Sequence, residues 1–192
     1  MDVLSILGSP RRAGNTARVL DWVEEVFHEA GSAVERISIG DRDIRPCTGC
    51  FACKLRPGSL CIQRDDANGL FGQMQDADIV LVATPVYCFG FPSPLKALID
   101  RSVCLVSEFG QPGHASVMEG RRVGLVATAE GPIGRNLDLL VEPFELLCDY
   151  WKATSVGHLL VPGCTRPEDM GEGICSQAHT YAQALLSRQT ES

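Results

Sequence analysis

Apolar positions along this chain follow two rhythms that alternate from one end to the other. Val3, Leu4, Ile6 and Leu7 form a short, nearly continuous apolar run, the pattern of a strand covered on both faces. Val19, Trp22, Val23, Val26, Phe27 and Ala30 then recur at helical spacing, and Gly31 stands where a C-cap belongs. Further strands are predicted over Val34 to Ile39, Ile79 to Ala83, Val123 to Ala127 and Val156 to Val161. Between them, Asp65 or Asp66 would cap a helix reaching about Gln75. Leu95, Leu98, Ile99, Val103 and Val106 share the face of another, with Pro92 and Pro94 at its start. Leu137, Leu140, Val141 and Phe144 mark a helix that Pro143 must kink or divide, and Ala178, Tyr181, Ala182 and Leu185 face a last one. Strand and helix in strict turn predict an α/β fold: a parallel sheet with right-handed crossovers, binding its ligand at the carboxyl ends of the strands. The chain contains neither internal repeats nor a low-complexity segment.

The length of 192 residues fits one domain spanning 1–192. The N-terminus runs into its apolar segment without a basic region or cleavage site, so it does not read as a signal peptide. No apolar run approaches the ~20 residues of a membrane-spanning helix, and the expectation is a soluble cytoplasmic protein with no membrane partner. Nine cysteines in a reducing compartment argue for metal, cluster or redox chemistry rather than disulfides. A formal net charge of −7 argues against nucleic acid, because no basic stripe is present to neutralise phosphates.

Four of the cysteines fall between Arg45 and Cys61, in a connection (45–64) longer than a plain loop requires. Cys47, Cys50 and Cys53 are spaced C-x2-C-x2-C, and Cys61 follows after seven more residues. A single zinc ion needs its ligands to converge on one point, which usually takes two separated knuckles. An inorganic cube gives each thiolate its own iron, and the spacing is closer to the ferredoxin type, with Cys61 closing the same cluster. Arg42, Arg45, Lys54, Arg56 and Arg64 gather around this loop. They form either a solvated face or a docking patch for an anionic donor.

Two further regions lie where such a sheet binds ligands. The segment from Gly8 to Thr16 joins the first strand to the first helix. Backbone N–H groups, the hydroxyls of Ser9 and Thr16, the Asn15 amide and a guanidinium from Arg11 or Arg12 could surround a phosphate monoester there, with Gly14 expected to supply unusual backbone angles. It lacks both the Walker lysine and G-x-G-x-x-G spacing. The plainer reading is a strand-to-helix turn with Asn15 or Thr16 as N-cap. After the third strand, Thr84-Pro85-Val86-Tyr87-Cys88-Phe89-Gly90-Phe91-Pro92 suits a flat heteroaromatic ring, and Thr128-Ala129-Glu130-Gly131-Pro132 offers a backbone-rich loop opposite.

The chain resembles flavodoxin-like, NAD(P)H-dependent FMN reductases, specifically their iron-sulfur flavoprotein branch. The resemblance rests on Gly8-Ser9-Pro10-Arg11 through Asn15-Thr16, on Thr84-Pro85-Val86-Tyr87, on Leu95 through Arg101, and on the cysteine loop followed by Asp65-Asp66. It implies a doubly wound five-stranded sheet of order 2-1-3-4-5 with the cysteine-rich insertion after strand 2, FMN at the carboxyl edge, and a homodimer or homotetramer. It also implies a 4Fe-4S cluster on Cys47, Cys50, Cys53 and Cys61. The FMN-binding candidates are Ser9, Arg11, Arg12, Asn15, Thr16, Thr84, Pro85, Val86, Tyr87, Cys88, Thr128, Glu130 and Gly131. The implied function is an FMN-dependent oxidoreductase or electron-transfer protein with NAD(P)H or ferredoxin as donor. A cluster-free FMN or quinone reductase and a flavodoxin-like carrier are the alternatives. No catalytic acid or base is assigned. Cys104, Cys148, Cys164 and Cys175 show no ligand spacing and read as core or loop thiols, while Asp100 and Arg101 read as a structural pair at a helix end.

Overall fold

Strand β1 (Asp2–Leu7) leads into helix α1 (Asn15–Glu29), and the chain continues through β2 (Ala33–Ser38), α2 (Ala67–Asp76), β3 (Ile79–Pro85) and α3 (Ser93–Arg101). A small pair, β4 (Val106–Ser107) and β5 (Ala115–Ser116), precedes β6 (Arg122–Thr128), α4 (Val141–Trp151), β7 (Thr154–Val161) and α5 (Glu172–Ser187). The computed structural model describes residues 1–55 and 60–187, so Arg56 of the basic group lies outside the described residues. Five strands form one sheet in the order β2-β1-β3-β6-β7, each neighbouring pair parallel. Leaving out the antiparallel β4/β5 pair, this is the expected 2-1-3-4-5 winding. The order reverses between β1 and β3, and the crossovers that leave them part to opposite faces, opening a crevice at the carboxyl edge.

Strand side chains alternate between two cores, as the pleat demands. Val3 and Leu7 pack with Val19, Val23 and Phe27 of α1 and with Ala178, Ala182 and Leu185 of α5. Leu4 and Ile6 face the other way, toward Phe71 of α2, Leu95 and Leu98 of α3, and Phe144 and Trp151 of α4. Each fully buried large apolar side chain contributes about 1.5–3 kcal/mol, so the frame of the crevice is held by the sheet's two faces rather than by its polar rim. Among the described residues no helix is long and apolar enough to cross a membrane.

Helix boundaries follow local chemistry. Gly31, at φ +74°, donates to His28 O at 2.9 Å while Ser32 N–H reaches Phe27 O at 3.0 Å. These are the two bonds that close a helix through a left-handed residue. Pro143 falls in the first turn of α4, where its missing N–H has no acceptor within the helix, and a separate 3-10 turn over Leu137–Leu140 precedes it. The helical face predicted to include Val103 and Val106 ends early. Ser102 donates to Ile99 O at 2.7 Å and accepts from Trp151 Nε1 at 3.0 Å. The chain tightens into a 3-10 turn over Ser102–Leu105, and Val106 enters β4.

Candidate functional site

Three loops meet at the carboxyl edge of β1, β3 and β6, and backbone bonds sew them together. Val86 N–H donates to Thr128 O at 3.0 Å, Ala129 N–H to Val161 O at 3.1 Å and Cys164 N–H to Ala129 O at 2.9 Å. Thr16 and Thr128, both buried, share a hydroxyl–hydroxyl bond of 2.7 Å that ties the start of α1 to the end of β6. Between the loops lies an open groove of about 250 Å³.

Nine sequence candidates line this groove: Ser9, Arg11, Asn15, Thr16, Pro85, Val86, Tyr87, Thr128 and Glu130. Ser9 Oγ accepts from Arg11 N–H at 3.1 Å, curling the first loop back over the start of α1. Neither Asn15 nor Thr16 caps that helix with its side chain. The N-cap is Gly14, and the buried Oδ1 of Asn15 has no partner among the described residues. An uncapped start leaves the first-turn N–H groups for a ligand. The expectation for Gly14 is corrected: its φ of −92° is ordinary extended backbone. Glycine is favoured there by proximity, because a Cβ would lie 3.1 Å from the Arg11 Cβ.

Arg12, Thr84, Cys88 and Gly131 are absent from the lining. Arg12, three-quarters exposed, turns away to Asp41 at 2.6 Å. The buried Thr84 hydroxyl donates to Pro85 O at 2.9 Å, at the end of its own strand. Gly131 packs on Asn136, whose Nδ2 would be 2.5 Å from an added Cβ. Cys88 and Phe89 occupy the two centre positions of a tight turn at φ +47° and +64°, closed by reciprocal Tyr87–Gly90 bonds of 3.0 Å. Such a turn favours Asn-Gly, and holding ordinary residues in it costs on the order of 1–3 kcal/mol each. Cys164 and Thr165 line the groove although neither was a candidate. The available signal was their place just after the fifth strand of a parallel sheet.

The cysteine loop is built differently. Among its described residues, the stretch between β2 and α2 has one 3-10 turn, Ile39–Asp41, and otherwise neither helix nor strand. Its base is fastened by side chains. Asp66 Oδ2 accepts from Asp43 N–H at 2.8 Å, and Asp66 N–H donates to Asp43 O at 3.0 Å. Asp65 accepts from Arg45 N–H at 3.0 Å and from Ala67 N–H at 3.2 Å, so Asp65 rather than Asp66 supplies a carboxylate to the start of α2. Asp65 also pairs with Arg101, and both side chains are fully buried. Burial pushes the Asp65 carboxyl up, but the Arg101 guanidinium and the two backbone donors outweigh it and hold it below the usual range. Burial likewise opposes the Arg101 charge, yet Asp65 and the Cys61 sulfur together raise its pKa. Asp100 pairs instead with Lys96, one turn away.

Cys47 and Cys50 stand in solvent, whereas Cys53 and Cys61 are half-buried. Ala52 N–H and the Thr48 hydroxyl bond the Cys50 sulfur and draw its thiol pKa down, a donor set that suits a thiolate. Among the described residues no three Cys, His, Asp or Glu side chains converge closely enough to hold a single metal ion. A cube places each thiolate at a separate corner and does not require that convergence. Cys104, expected as a core or loop thiol, is partly buried in the 3-10 turn after α3, near the cysteine loop. Burial pushes it up to about 11, a Cys61 backbone group bonds it, and Cys53 and Cys61 act on it electrostatically. Cys148, pushed up to about 12 mainly by burial, is a core thiol as expected. Lys54 Nζ reaches Val106 O at 2.5 Å and fastens the loop to β4.

Comparison with known proteins agrees with this architecture. A family model described as NADPH-dependent FMN reductase matches residues 1–147. An iron-sulfur flavoprotein of Archaeoglobus fulgidus is 30% identical over 174 residues, covering 88% of this chain and 74% of that protein. A second, from Methanosarcina thermophila, is 37% identical over 105 residues, covering 55% of this chain and 54% of its own length. The crystal structure of azoreductase AzrA superposes with a TM-score of 0.73 at 15% identity, over 98% of this chain and 100% of that one, a likeness of fold. The alternation of strand and helix, the crevice at the sheet's carboxyl edge and these matches together place the chain in the NADPH-dependent FMN reductase family of flavin-dependent oxidoreductases, in its iron-sulfur flavoprotein branch.

Proposed function

We propose that this protein moves electrons from a reduced donor, NAD(P)H or ferredoxin, to an acceptor through FMN in the carboxyl-edge groove and a 4Fe-4S cluster on Cys47, Cys50, Cys53 and Cys61. The observation that carries the reading is the uncapped start of α1, where Ser9, Asn15, Thr16 and Arg11 line one groove with Tyr87 and Thr128. First-turn N–H groups and hydroxyls would hold the phosphate, and Arg11 would add charge-assisted bonds. Tyr87 would wall one side of the ring, and the loop from Thr128 to Glu130 would flank the other. FMN, when bound, supplies the exchange between two-electron and one-electron steps. The chain's own task is to bind, orient and shield, and no side-chain acid or base is required. The open groove supports assembly as a homodimer or homotetramer, in which a second copy would complete the cover.

Anaerobic reconstitution with iron and sulfide, followed by iron analysis and electron paramagnetic resonance, tests the cluster. The expected content is about four irons per chain, lost in Cys53→Ser and kept in Cys148→Ser, with FMN bound throughout. Iron-free protein with FMN fully bound would instead support a cluster-free NAD(P)H-dependent FMN or quinone reductase. Failure to oxidise NADH or NADPH would favour electron transfer from a protein donor.

A further inference from the structure

We propose that Arg101 is a positioning residue for the cluster: its buried guanidinium, balanced on one side by Asp65, lies at the base of the cysteine loop and stabilises the more negative, reduced state of a cluster held there. The inference rests on the cluster reading above. Arg101 makes an incomplete set of hydrogen bonds. The Arg101 side chain is fully buried, as is that of Asp65. Nη1 alone serves Asp65 and, at 3.4 Å, the Arg45 carbonyl. The buried Nε and Nη2 have no partner among the described residues. A guanidinium carries five N–H donors in a rigid fork, and a buried donor without an acceptor costs about 1–3 kcal/mol. A purely structural ion pair would be better made by a fork that Asp65 engages on both nitrogens.

The groups around the fork indicate which acceptor it awaits. Besides Asp65, the Cys61 sulfur is the side chain that stabilises the Arg101 charge. Cys53, Cys61 and Arg101 all act on the Cys104 thiol as well. The Cys61 backbone is held in place by Asn68 Nδ2, 2.7 Å from its carbonyl. The guanidinium therefore sits at the base of the loop that carries the four proposed ligands, bonded to the carbonyl of Arg45, close in sequence to Cys47, and to Asp65, close to Cys61. Taking up one electron from FMN or from a ferredoxin-class donor makes a cluster and its thiolates one charge more negative. No bond breaks and no proton is needed, so a fixed positive charge beside Cys61 favours the reduced form, and hydrogen bonds to cluster sulfurs raise the potential in the same sense.

The test is a potentiometric titration of the anaerobically reconstituted holoprotein, followed by electron paramagnetic resonance. Arg101→Gln should move the cluster midpoint negative by at least a tenfold change in the reduced-to-oxidised ratio at fixed potential, 59 mV for a one-electron couple. Asp65→Asn keeps an acceptor oxygen for one of the two backbone donors, Arg45 N–H or Ala67 N–H, but leaves the guanidinium uncompensated, and should move the midpoint positive. Arg101→Lys should fall between wild type and Arg101→Gln. Loosening the loop would expose the cluster alike in both single variants, so opposite signs separate the electrostatic role from a structural one. The double change Asp65→Asn/Arg101→Gln buries no unpaired charge and should lie between the singles. It also replaces either single that fails to retain FMN, because it must then lie on the stated side of the other. Shifts of one sign, no shift, or loss of iron from both variants with FMN retained overturn the inference. A wild type that assembles no cluster overturns the underlying reading, a separate and recognisable failure.

Discussion

The groove and the cysteine loop show two ways of building a site. The groove is assembled from the ends of β1, β3 and β6, whose side chains are buried on both faces of the sheet, and its loops are joined backbone to backbone. Its shape is a consequence of the fold. Among its described residues the cysteine loop has no ladder of its own. It is fastened at its base by Asp65, Asp66 and Arg101 and at one flank by Lys54, while Cys47 and Cys50 remain in solvent. A site of the first kind should tolerate loss of a single polar contact. The second kind depends on a few buried charges, and on the cluster it is proposed to hold.

The largest expected effect lies at the base of the loop. Asp65→Ala removes the carboxylate from a fully buried pair. Leaving a buried charge uncompensated costs about 3–5 kcal/mol, so denaturant unfolding should show a loss of that size. The Asp65 carboxyl is held below its ordinary value, and its stabilising contribution is therefore present above the unfolded-state pKa of 3.8 and lost as pH falls through the folded-state value. Wild type should lose stability in that acid window, and Asp65→Ala should lack this component of the acid limb. A variant as stable as wild type at pH 7 would mean that the loop is fastened elsewhere.

A smaller effect is expected in the groove. Ser9→Ala with Thr16→Ala removes two hydroxyls from the phosphate site; one bond to a dianion is worth roughly 1.5–3 kcal/mol, and the Thr16 hydroxyl already shares a bond with Thr128. FMN affinity should fall more than tenfold while riboflavin affinity changes little, as read by fluorescence titration of apoprotein. Equal losses for both ligands would remove the phosphate assignment. The smallest effect separates two neighbouring arginines: Arg11→Ala should weaken FMN but not riboflavin, whereas Arg12→Ala, whose guanidinium is taken by Asp41, should leave FMN affinity within about twofold of wild type. A reversed order would show that Arg12 swings inward on binding.

Much of this was legible in the residues. Helices announce themselves through a period of 3.6 and strands through short, nearly continuous apolar runs, because burial on one helix face or on both faces of a parallel sheet imposes those patterns on the apolar side chains. The 2-1-3-4-5 order came from the resemblance, since periodicity carries no information about which strands become neighbours. The groove's loops could be named from their place after successive strands, and nine of the thirteen candidates line it. The four that do not were lost to local competition that sequence does not show: an Asp41 carboxylate for Arg12, a neighbouring carbonyl for Thr84, an adjoining Asn136 for Gly131 and a tight turn for Cys88.

The chain's own order of apolar and polar residues determined that a parallel α/β sheet forms, that its ligand edge follows the strands, and that four thiols sit together in one connection. Only the tertiary structure decided that Arg101 reaches across 36 positions to Asp65 and that Cys104 comes to rest beside Cys53 and Cys61. Local spacing records what a residue does within its own turn or strand. Contacts between distant segments are set by how those elements pack, and a buried charge finds its partner only once the core has closed around both.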